Sequence, residues 1–344
     1  MTGVERQAWW RRPGARTFGA MAAGVPLGVG VALLLYAVFA GLTPLAHEFV
    51  SGMGIFGMPF FMGAATLCLS TPSQQATVSY RILAPWATVM ILYVVLAAIA
   101  IETVICLIML APPAMALASA GGVTAGFILT RWRSRRARGT TLASVVMLPL
   151  LLGPLEPSLV PVKQEIVTIS DRIVVAASAD DVWRTLLQVP DIRDEELERS
   201  FSHAIGLPKP RAALMTGSGV GAVRDLYWDD GVHFRERITS WQPGKLLAYD
   251  VDVSPAREAL RRLDTHVVIG DRYFNVENGR YELLALDDGR TQLTLRTTYR
   301  ISTRVNGYGK FWADRTLHDF HRVVLALVRD RAETPLGTSV ALGQ

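Results

Sequence analysis

The stretch from Leu83 to Thr130 reads LAPWATVMILYVVLAAIAIETVICLIMLAPPAMALASAGGVTAGFILT and contains a single charge, Glu102. A transmembrane helix needs about 20 apolar residues to cross the ~30 Å hydrocarbon layer. The stretch therefore has room for two membrane spans joined by a tight turn. We expect the turn near Ala111-Pro112-Pro113, because proline ends or kinks a helix.

Further apolar segments lie on both sides of this pair, and together they predict a bundle of about five transmembrane helices in residues 1–162. Segment 52–70 is rich in Gly and Met, so it is either a span or a re-entrant element. Segment 141–162 contains Glu156 and several prolines, so it either spans the membrane or lies in the interface. The predicted spans are residues 20–40, 52–70, 84–110, 113–130 and 141–162.

Charge is distributed unevenly along the chain. Residues 1–162 carry a net charge of +6, all from arginine, whereas residues 163–344 carry a net charge of −1. The basic residues therefore belong to the membrane half, where they set orientation, and nucleic acid is not an expected partner. Five spans place the C-terminal domain on the extracytoplasmic side of the cell membrane. If segment 141–162 lies in the interface, the domain faces the cytoplasm instead.

The membrane half contains one acidic residue and two cysteines whose roles must be considered. Glu102 is either a relay or substrate contact within the membrane, or the marker of a span end at the lipid–water boundary. Cys68 and Cys106 both lie in apolar segments, so the rest of the chain has neither a disulfide framework nor a cysteine zinc site.

After Pro161 the hydrophobic pattern becomes that of an α+β domain, which we assign to residues 163–335 with a tail at 336–344. An alternating strand leads to Ser178, a helix N-cap followed by acids in the first turn. Strand runs separated by Gly-containing turns follow, including one at Asn278-Gly279. The last element, 308–332, has the apolar stripe of a long amphipathic helix. The predicted order is strand, two helices, about six antiparallel strands and a long helix.

This order resembles the START-like (SRPBCC) superfamily, which includes polyketide cyclases/dehydratases and lipid-transfer proteins. The residues that match are Ile173–Trp183 (IVVAASADDVW), Gly221–Arg224 (GAVR), Phe234–Pro243 (FRERITSWQP) and the final helix. The resemblance covers about half of the chain, from about 165 to 332. It implies a helix-grip fold, in which a strongly bent antiparallel sheet surrounds the terminal helix and encloses an apolar cavity.

Strand parity predicts which side chains face that cavity. The turn at 229–231 sets Leu226 opposite Phe234, and the expected Asn-Gly turn sets Phe274 opposite Leu283. Side chains of this parity either bind a hydrophobic ligand or simply fill the core. The predicted ligand-binding residues are Leu226, Trp228, Phe234, Tyr249, Phe274, Tyr281, Leu283, Leu295, Tyr299, Leu317 and Phe320.

Arg224 and Glu236 fall opposite each other on the same, otherwise apolar, parity. Each charge needs a partner when it is buried, because an unpaired buried charge costs several kcal/mol. The pair is either a structural cross-strand ion pair or a chemical site, in which Glu236 acts as a general base or Arg224 orients a polar headgroup.

Other candidate sites are weaker. His318 and His321 have an i, i+3 spacing but no third ligand, with His321 expected at the edge of the helix stripe, so no metal site is predicted. We find neither a Ser-His-Asp or Cys-His arrangement nor a phosphate-binding glycine loop, and no cofactor is expected.

The sequence thus favours a domain that is anchored in the membrane and binds a lipid-like or other hydrophobic small molecule. One alternative is an enzyme of the cyclase/dehydratase type that uses Glu236 and Arg224. Another is a small transporter or sensor whose soluble domain is regulatory. The oligomeric state stays open.

Overall fold

The computed structural model describes residues 25–31, 33–34, 52–99, 103–132, 135–263 and 268–334. The chain divides into two compact units, Met1–Pro161 and Val162–Gln344.

The N-terminal unit is helical throughout its described part. Residues 25–31, 33 and 34 are helical and belong to the first predicted span, the rest of which lies outside the described residues. A π-helical turn at Met53–Gly57 leads into the next helix. The helices are α1 (Met58–Cys68), α2 (Pro72–Ala76), α3 (Val78–Ala98), α4 (Val104–Arg131), α5 (Arg135–Leu152) and α6 (Glu156–Leu159).

Among the described residues, α3 and α4 are long and apolar enough to cross a membrane. In the most apolar 18 residues of each helix, only 33% of the α3 residues and 22% of the α4 residues are buried. Most residues of both apolar stretches therefore keep exposed surface. Shorter apolar helices occupy Met53–Cys68 and Gly139–Pro149. The count of about five spans stays a prediction.

The helices of the central pair do not have the predicted bounds of 84–110 and 113–130. Pro112 and Pro113 lie inside α4. Helix α3 ends at Ala98 and α4 begins at Val104, after Thr103, which has the extended backbone of an N-cap. Proline is tolerated within an apolar helix when neighbouring groups satisfy the freed carbonyls. The turn expected at 111–113 is therefore wrong, and Glu102 falls outside the described residues.

Small residues bring the helices of this unit close together. A Cβ atom added to Gly63 on α1 would lie 1.8 Å from the carbonyl oxygen of Ala118 on α4. Glycine at such a contact lets two helix backbones approach closely. Glu156 of α6 also bonds to the start of the π-helical turn. Its carboxylate accepts hydrogen bonds from the backbone N–H groups of Gly52 (2.5 Å) and Met53 (2.9 Å).

The C-terminal unit is built on one antiparallel sheet with the strand order β1-β8-β7-β6-β5-β4-β3-β2. Its strands are β1 (Lys163–Val175), β2 (Gln188–Val189), β3 (Pro210–Thr216), β4 (Val223–Trp228), β5 (His233–Gln242), β6 (Leu246–Asp252), β7 (Phe274–Ala285) and β8 (Thr291–Thr303). Its helices are α7 (Ala179–Leu187), α8 (Phe201–Ala204), α9 (Arg257–Leu263) and α10 (Asn306–Glu333).

The first helix of this unit begins as the sequence predicts. The Ser178 hydroxyl accepts a hydrogen bond from the Asp181 N–H at 3.2 Å, which satisfies one free donor of α7. The final helix, α10, runs from Asn306 to Glu333 and packs against β1 and β8. Leu325 and Val328 of α10 join a core with residues of α7 and the central strands. The expected helix-grip arrangement of a long helix on a bent antiparallel sheet is present.

The register of β4 and β5 is confirmed, with Leu226 opposite Phe234 and Arg224 opposite Glu236. The hairpin turn expected at Asn278-Gly279 is wrong, because β7 continues through both residues with a bulge between Val276 and Asn278. A Cβ atom on Gly279 would lie 2.6 Å from the Tyr249 hydroxyl. The glycine therefore makes room for a tyrosine of the neighbouring strand.

Candidate functional site

A cavity of about 250 Å³ lies within the C-terminal unit, lined by β3 to β8, α10 and the chain that leads from α7 to β3. Most of its wall is aliphatic or aromatic. The polar residues in the wall are Arg224, Glu236, Tyr249, Tyr281 and Thr297, together with Ser202, His203, Asn278 and Thr316.

The structure brings most of the predicted ligand-binding residues to this cavity. Those that line it are Leu226, Trp228, Phe234, Tyr249, Tyr281, Leu295, Leu317 and Phe320, together with Arg224 and Glu236.

Three predicted residues lie elsewhere. Because β7 does not turn at Asn278-Gly279, Phe274 pairs with Ile301 and packs on the Tyr299 ring, with 5.4 Å between ring centroids. The Tyr299 hydroxyl donates to Asp314 at 2.5 Å. Leu283 is buried in the core shared with α7.

Arg224 and Glu236 form a buried ion pair in the cavity wall, with only 3% and 6% of their side chains exposed. The guanidinium donates to Glu236 Oε2 from Nε at 2.7 Å, and Nη2 lies 2.5 Å from the same oxygen. Nη1 donates to the carbonyl oxygen of Leu186 at 2.7 Å, which ties the pair to the end of α7. Both charges are thus compensated, as burial requires.

Two tyrosines complete this polar cluster. The Arg224 guanidinium carbon lies 5.5 Å from the ring centroid of Tyr249 and 5.2 Å from that of Tyr281, within range of a cation–π contact. Tyr249 hydrogen-bonds to Glu236 and to Tyr281. We call Arg224, Glu236, Tyr249 and Tyr281 the arginine cluster.

Burial shifts the proton affinities of this cluster. Desolvation raises the pKa of Glu236 above its usual value, and the adjacent Arg224 cation opposes that shift. Desolvation also raises the pKa of Tyr281 and of Tyr249. Desolvation alone would lower the pKa of Arg224, but Glu236 and the tyrosines raise it, so the guanidinium stays charged. The arginine cluster therefore holds one fixed cation, and its two tyrosine hydroxyls are neutral.

Sequence reasoning missed a second polar group, which reaches the cavity through Thr297. The Thr297 hydroxyl is 2.7 Å from Nε2 of His321, a residue with no exposed surface rather than one at the helix edge. His321 Nδ1 is 2.8 Å from Asp171 Oδ2, and His318 Nδ1 is 2.7 Å from the same oxygen. These residues lie on three elements far apart in sequence, so no local motif signals them.

Part of the cavity wall could not be predicted from the alternation of side chains along the central strands. It comes from the chain between α7 and β3, where the second of the two predicted helices is a 3₁₀ turn, Asp194–Glu196, followed by the short α8. The lining residues from this chain are Val189, Ile192, Ser202, His203, Leu207 and Pro208.

No protein-family model and no curated protein matches the chain. It is similar to several solved structures, each over about half of its length. The Zhui aromatase/cyclase from Streptomyces sp. R1128 is 18% identical, with 51% of this chain and 99% of that chain covered and a TM-score of 0.34. A truncated norcoclaurine synthase from Thalictrum flavum is 15% identical, with 50% and 97% covered and a TM-score of 0.31.

An uncharacterised protein from Rhizobium leguminosarum is 11% identical, with 50% of this chain and 97% of that chain covered and a TM-score of 0.31. The C-terminal unit has a continuous antiparallel sheet, two early helices and a long final helix, in the predicted order. By that architecture, the C-terminal unit has a helix-grip fold, which is the fold that the resemblance of its sequence implies.

Proposed function

We propose that the C-terminal domain binds one small hydrophobic molecule in its cavity, with a polar atom of that molecule at the arginine cluster. The observation that carries this proposal is the composition of the cavity wall, which is apolar except for a few converging polar groups. Ligand sites have this character, because apolar surface supplies affinity and a few placed polar groups fix orientation.

The size of the cavity narrows the class of ligand. Sites for drug-sized molecules enclose roughly 300–1,000 Å³, and this one, at about 250 Å³, is just below that range. A single short acyl chain or a compact ring compound is therefore favoured over a lipid with two long chains.

The ion pair leaves hydrogen-bonding capacity for such a ligand. A guanidinium has five N–H donors, and three of them are directed to Glu236 and Leu186. The Tyr249 proton already faces Glu236 and Tyr281. The remaining guanidinium donors and the Tyr281 hydroxyl suit an oxygen atom on an otherwise apolar molecule. We therefore expect a carbonyl, carboxylate or phenol at the polar end of the ligand.

The N-terminal unit fits this function as a membrane anchor. The exposed apolar surface of α3 and α4 suits contact with lipid, and hydrophobic ligands partition into the bilayer. A multi-pass anchor and an extracytoplasmic domain remain our proposal for the topology. Retention of the chain in membranes after alkaline carbonate washing, and protease digestion of the domain in intact spheroplasts, test these two points separately.

The binding proposal is tested by native mass spectrometry and lipid extraction on the full chain, purified in detergent from its own host. We expect one bound small molecule per chain. Leu226→Trp fills the cavity and should abolish that mass, whereas Tyr227→Trp, on the opposite strand face and 42% exposed, should keep it. An unliganded wild type, or equal occupancy in both variants, would contradict the proposal.

A second function, an enzyme of the cyclase/dehydratase type, is favoured by one observation. Arg224 and Glu236 line an open cavity rather than a filled core. In this reading Glu236 transfers protons while Arg224 stabilises negative charge on a ligand oxygen. Incubation of the wild type and Glu236→Gln with the co-purified ligand separates the two functions, because a binding protein returns that ligand unchanged from both.

A further inference from the structure

The second polar group of the cavity has the connectivity of a nucleophile, its base and an orienting carboxylate. Thr297 on β8 lines the cavity, His321 on α10 lies behind it, and Asp171 on β1 lies behind His321. The two hydrogen bonds measure 2.7 and 2.8 Å, which is the distance expected between a nucleophile and its base and between the base and its orienting group.

The hydrogen-bond chemistry fixes where the protons lie. The carboxylate of Asp171 can only accept, so Nδ1 of His321 and Nδ1 of His318 both donate to it. Burial lowers the pKa of His321, and Asp171 only partly opposes this shift, so the imidazole is neutral near pH 7. Its Nε2 is then an acceptor, and the hydroxyl of Thr297 donates to it.

This assignment is the one that nucleophilic catalysis needs. A hydroxyl that donates to a neutral imidazole can lose its proton as it attacks an electrophile, and a carboxylate on the other nitrogen stabilises the resulting imidazolium. The exposed His318 also bonds to Asp171, which links the buried group to the surface.

We propose that Thr297 is a nucleophile with His321 as its general base and Asp171 as a positioning residue, acting on a small hydrophobic ester or thioester in the cavity. The inference rests on the proposed binding of a small molecule there. It adds an activity at a wall of the cavity that the arginine cluster does not occupy.

The reaction balances without a cofactor. Thr297 Oγ1 forms a bond to the acyl carbon while its proton passes to His321 Nε2. The bond from that carbon to the alcohol or thiol then breaks, and the leaving group takes the proton from His321. Water then attacks the acyl carbon of the acyl-threonine and gives a proton to His321. The bond from that carbon to Thr297 Oγ1 breaks, the acid leaves, and the proton returns from His321 to Oγ1.

The sheet places this hydroxyl beside the arginine cluster. Thr297 pairs directly with Gly279 in the register of β7 and β8. Gly279 in turn lies under the Tyr249 hydroxyl, in the space where a side chain would be. A ligand whose carbonyl oxygen accepts from the arginine cluster therefore lies near a position that Thr297 can attack.

The test uses diisopropyl fluorophosphate, a small apolar electrophile that transfers a phosphoryl group to activated hydroxyls and releases fluoride. The full chain in detergent is labelled, weighed intact and digested to locate the adduct. We expect one adduct, on Thr297. Thr297→Val should abolish it, and Thr298→Val, on the opposite strand face and hydrogen-bonded to Thr168, should leave it unchanged.

The base and the positioning residue are tested by rate. His321→Gln should slow labelling about a hundredfold or more, since general-base catalysis contributes roughly 10²–10⁴-fold. In the wild type the rate should fall as acid protonates His321, whose charged or titratable neighbours are Asp171 on β1 and His318 on α10. Asp171→Asn should slow labelling and move this acid limb to lower pH, because the carboxylate raises the pKa of His321.

The outcomes separate this inference from the binding proposal. A co-purified ligand without an adduct on Thr297 overturns the inference and leaves the binding function intact. An adduct on Tyr249 or Tyr281, or labelling that does not depend on pH and survives in His321→Gln, also overturns it. Absence of both ligand and adduct contradicts both proposals. Because the pH dependence is measured on the wild type, the test stands even if the His321 variant does not fold.

Discussion

Removal of one member of the buried ion pair should cost far more stability than removal of both. In Glu236→Ala the Arg224 guanidinium keeps its bond to Leu186 but loses the charged hydrogen bond from Nε and the ion-pair contact of Nη2. A charged hydrogen bond contributes about 1.5–3 kcal/mol, and loss of one partner of a buried pair costs roughly 3–5 kcal/mol. We expect a destabilisation of about 3–5 kcal/mol.

The double variant Arg224→Met/Glu236→Leu should be nearly neutral. It removes both charges together and fills their place with apolar side chains of similar length, which in buried pairs is often neutral or stabilising. The matched single control is Asp225→Ala, one residue further along β4. Asp225 bonds to His233 at 2.8 Å in a partly exposed pair, so its loss should cost about 1 kcal/mol or less.

Hydrogen–deuterium exchange of the detergent-solubilised full chain measures these costs where they arise. Peptides from β4 and β5 should exchange roughly 150 to 5,000 times faster in Glu236→Ala, since each 1.36 kcal/mol is a factor of ten. The double variant should exchange at nearly the wild-type rate. If these peptides exchange no faster in Glu236→Ala than in Asp225→Ala, water in the cavity solvates Arg224. The ion pair is then not desolvated, and the reasoning is refuted.

Three further results follow from single contacts. Burial lowers the pKa of His321, so below the ordinary histidine pKa of 6.5 the unfolded chain binds more protons than the folded chain. The free energy of unfolding should therefore fall as the pH is lowered, by at most about 1.4 kcal/mol per pH unit. In His321→Gln this fall should be less steep. Gly279→Ala adds a methyl group 2.6 Å from the Tyr249 hydroxyl and should destabilise the domain by about 1–3 kcal/mol in thermal unfolding; an unchanged midpoint would mean that the ring moves freely. Gly63→Ala should lower the thermal stability of the helical unit, whereas Gly139→Ala, with open space around it, should be neutral or slightly stabilising; equal effects would contradict the close helix contact.

Local patterns in the sequence predict the parts of this fold that local physics determines. The cap at Ser178 and the pairing of Leu226 with Phe234 depend on neighbouring residues and one short turn. The Asn278-Gly279 pair misleads because Asn-Gly favours a hairpin turn in isolation. Here the decisive contact comes from Tyr249 on another strand, which requires a glycine beneath its hydroxyl. A single sequence does not display that contact.

The same difference explains which polar groups could be predicted from the sequence. Arg224 and Glu236 pair across one hairpin, so parity alone brings them together on an apolar face. Thr297, His321 and Asp171 meet only when β1, β8 and the final helix have assembled. On the helix alone, His321 has the position of an edge residue, and only the sheet beneath it shows that it is completely buried.

Gly279, in the continuous strand β7, lies between these two groups, because it pairs with Thr297 of β8 and with Tyr249 of β6. A regular hairpin at Asn278-Gly279 would turn the chain away and leave Thr297 paired with Ile169 of β1 but without its partner on β7. With β7 continuous, Gly279 pairs with Thr297 on one side and accommodates Tyr249 on the other. Gly279 thus places the Thr297 hydroxyl, which is hydrogen-bonded to the buried His321, near the arginine cluster. A polar ligand atom at the arginine cluster consequently directs the adjacent part of the ligand towards Thr297, so binding and reactivity at this cavity should depend on the same glycine.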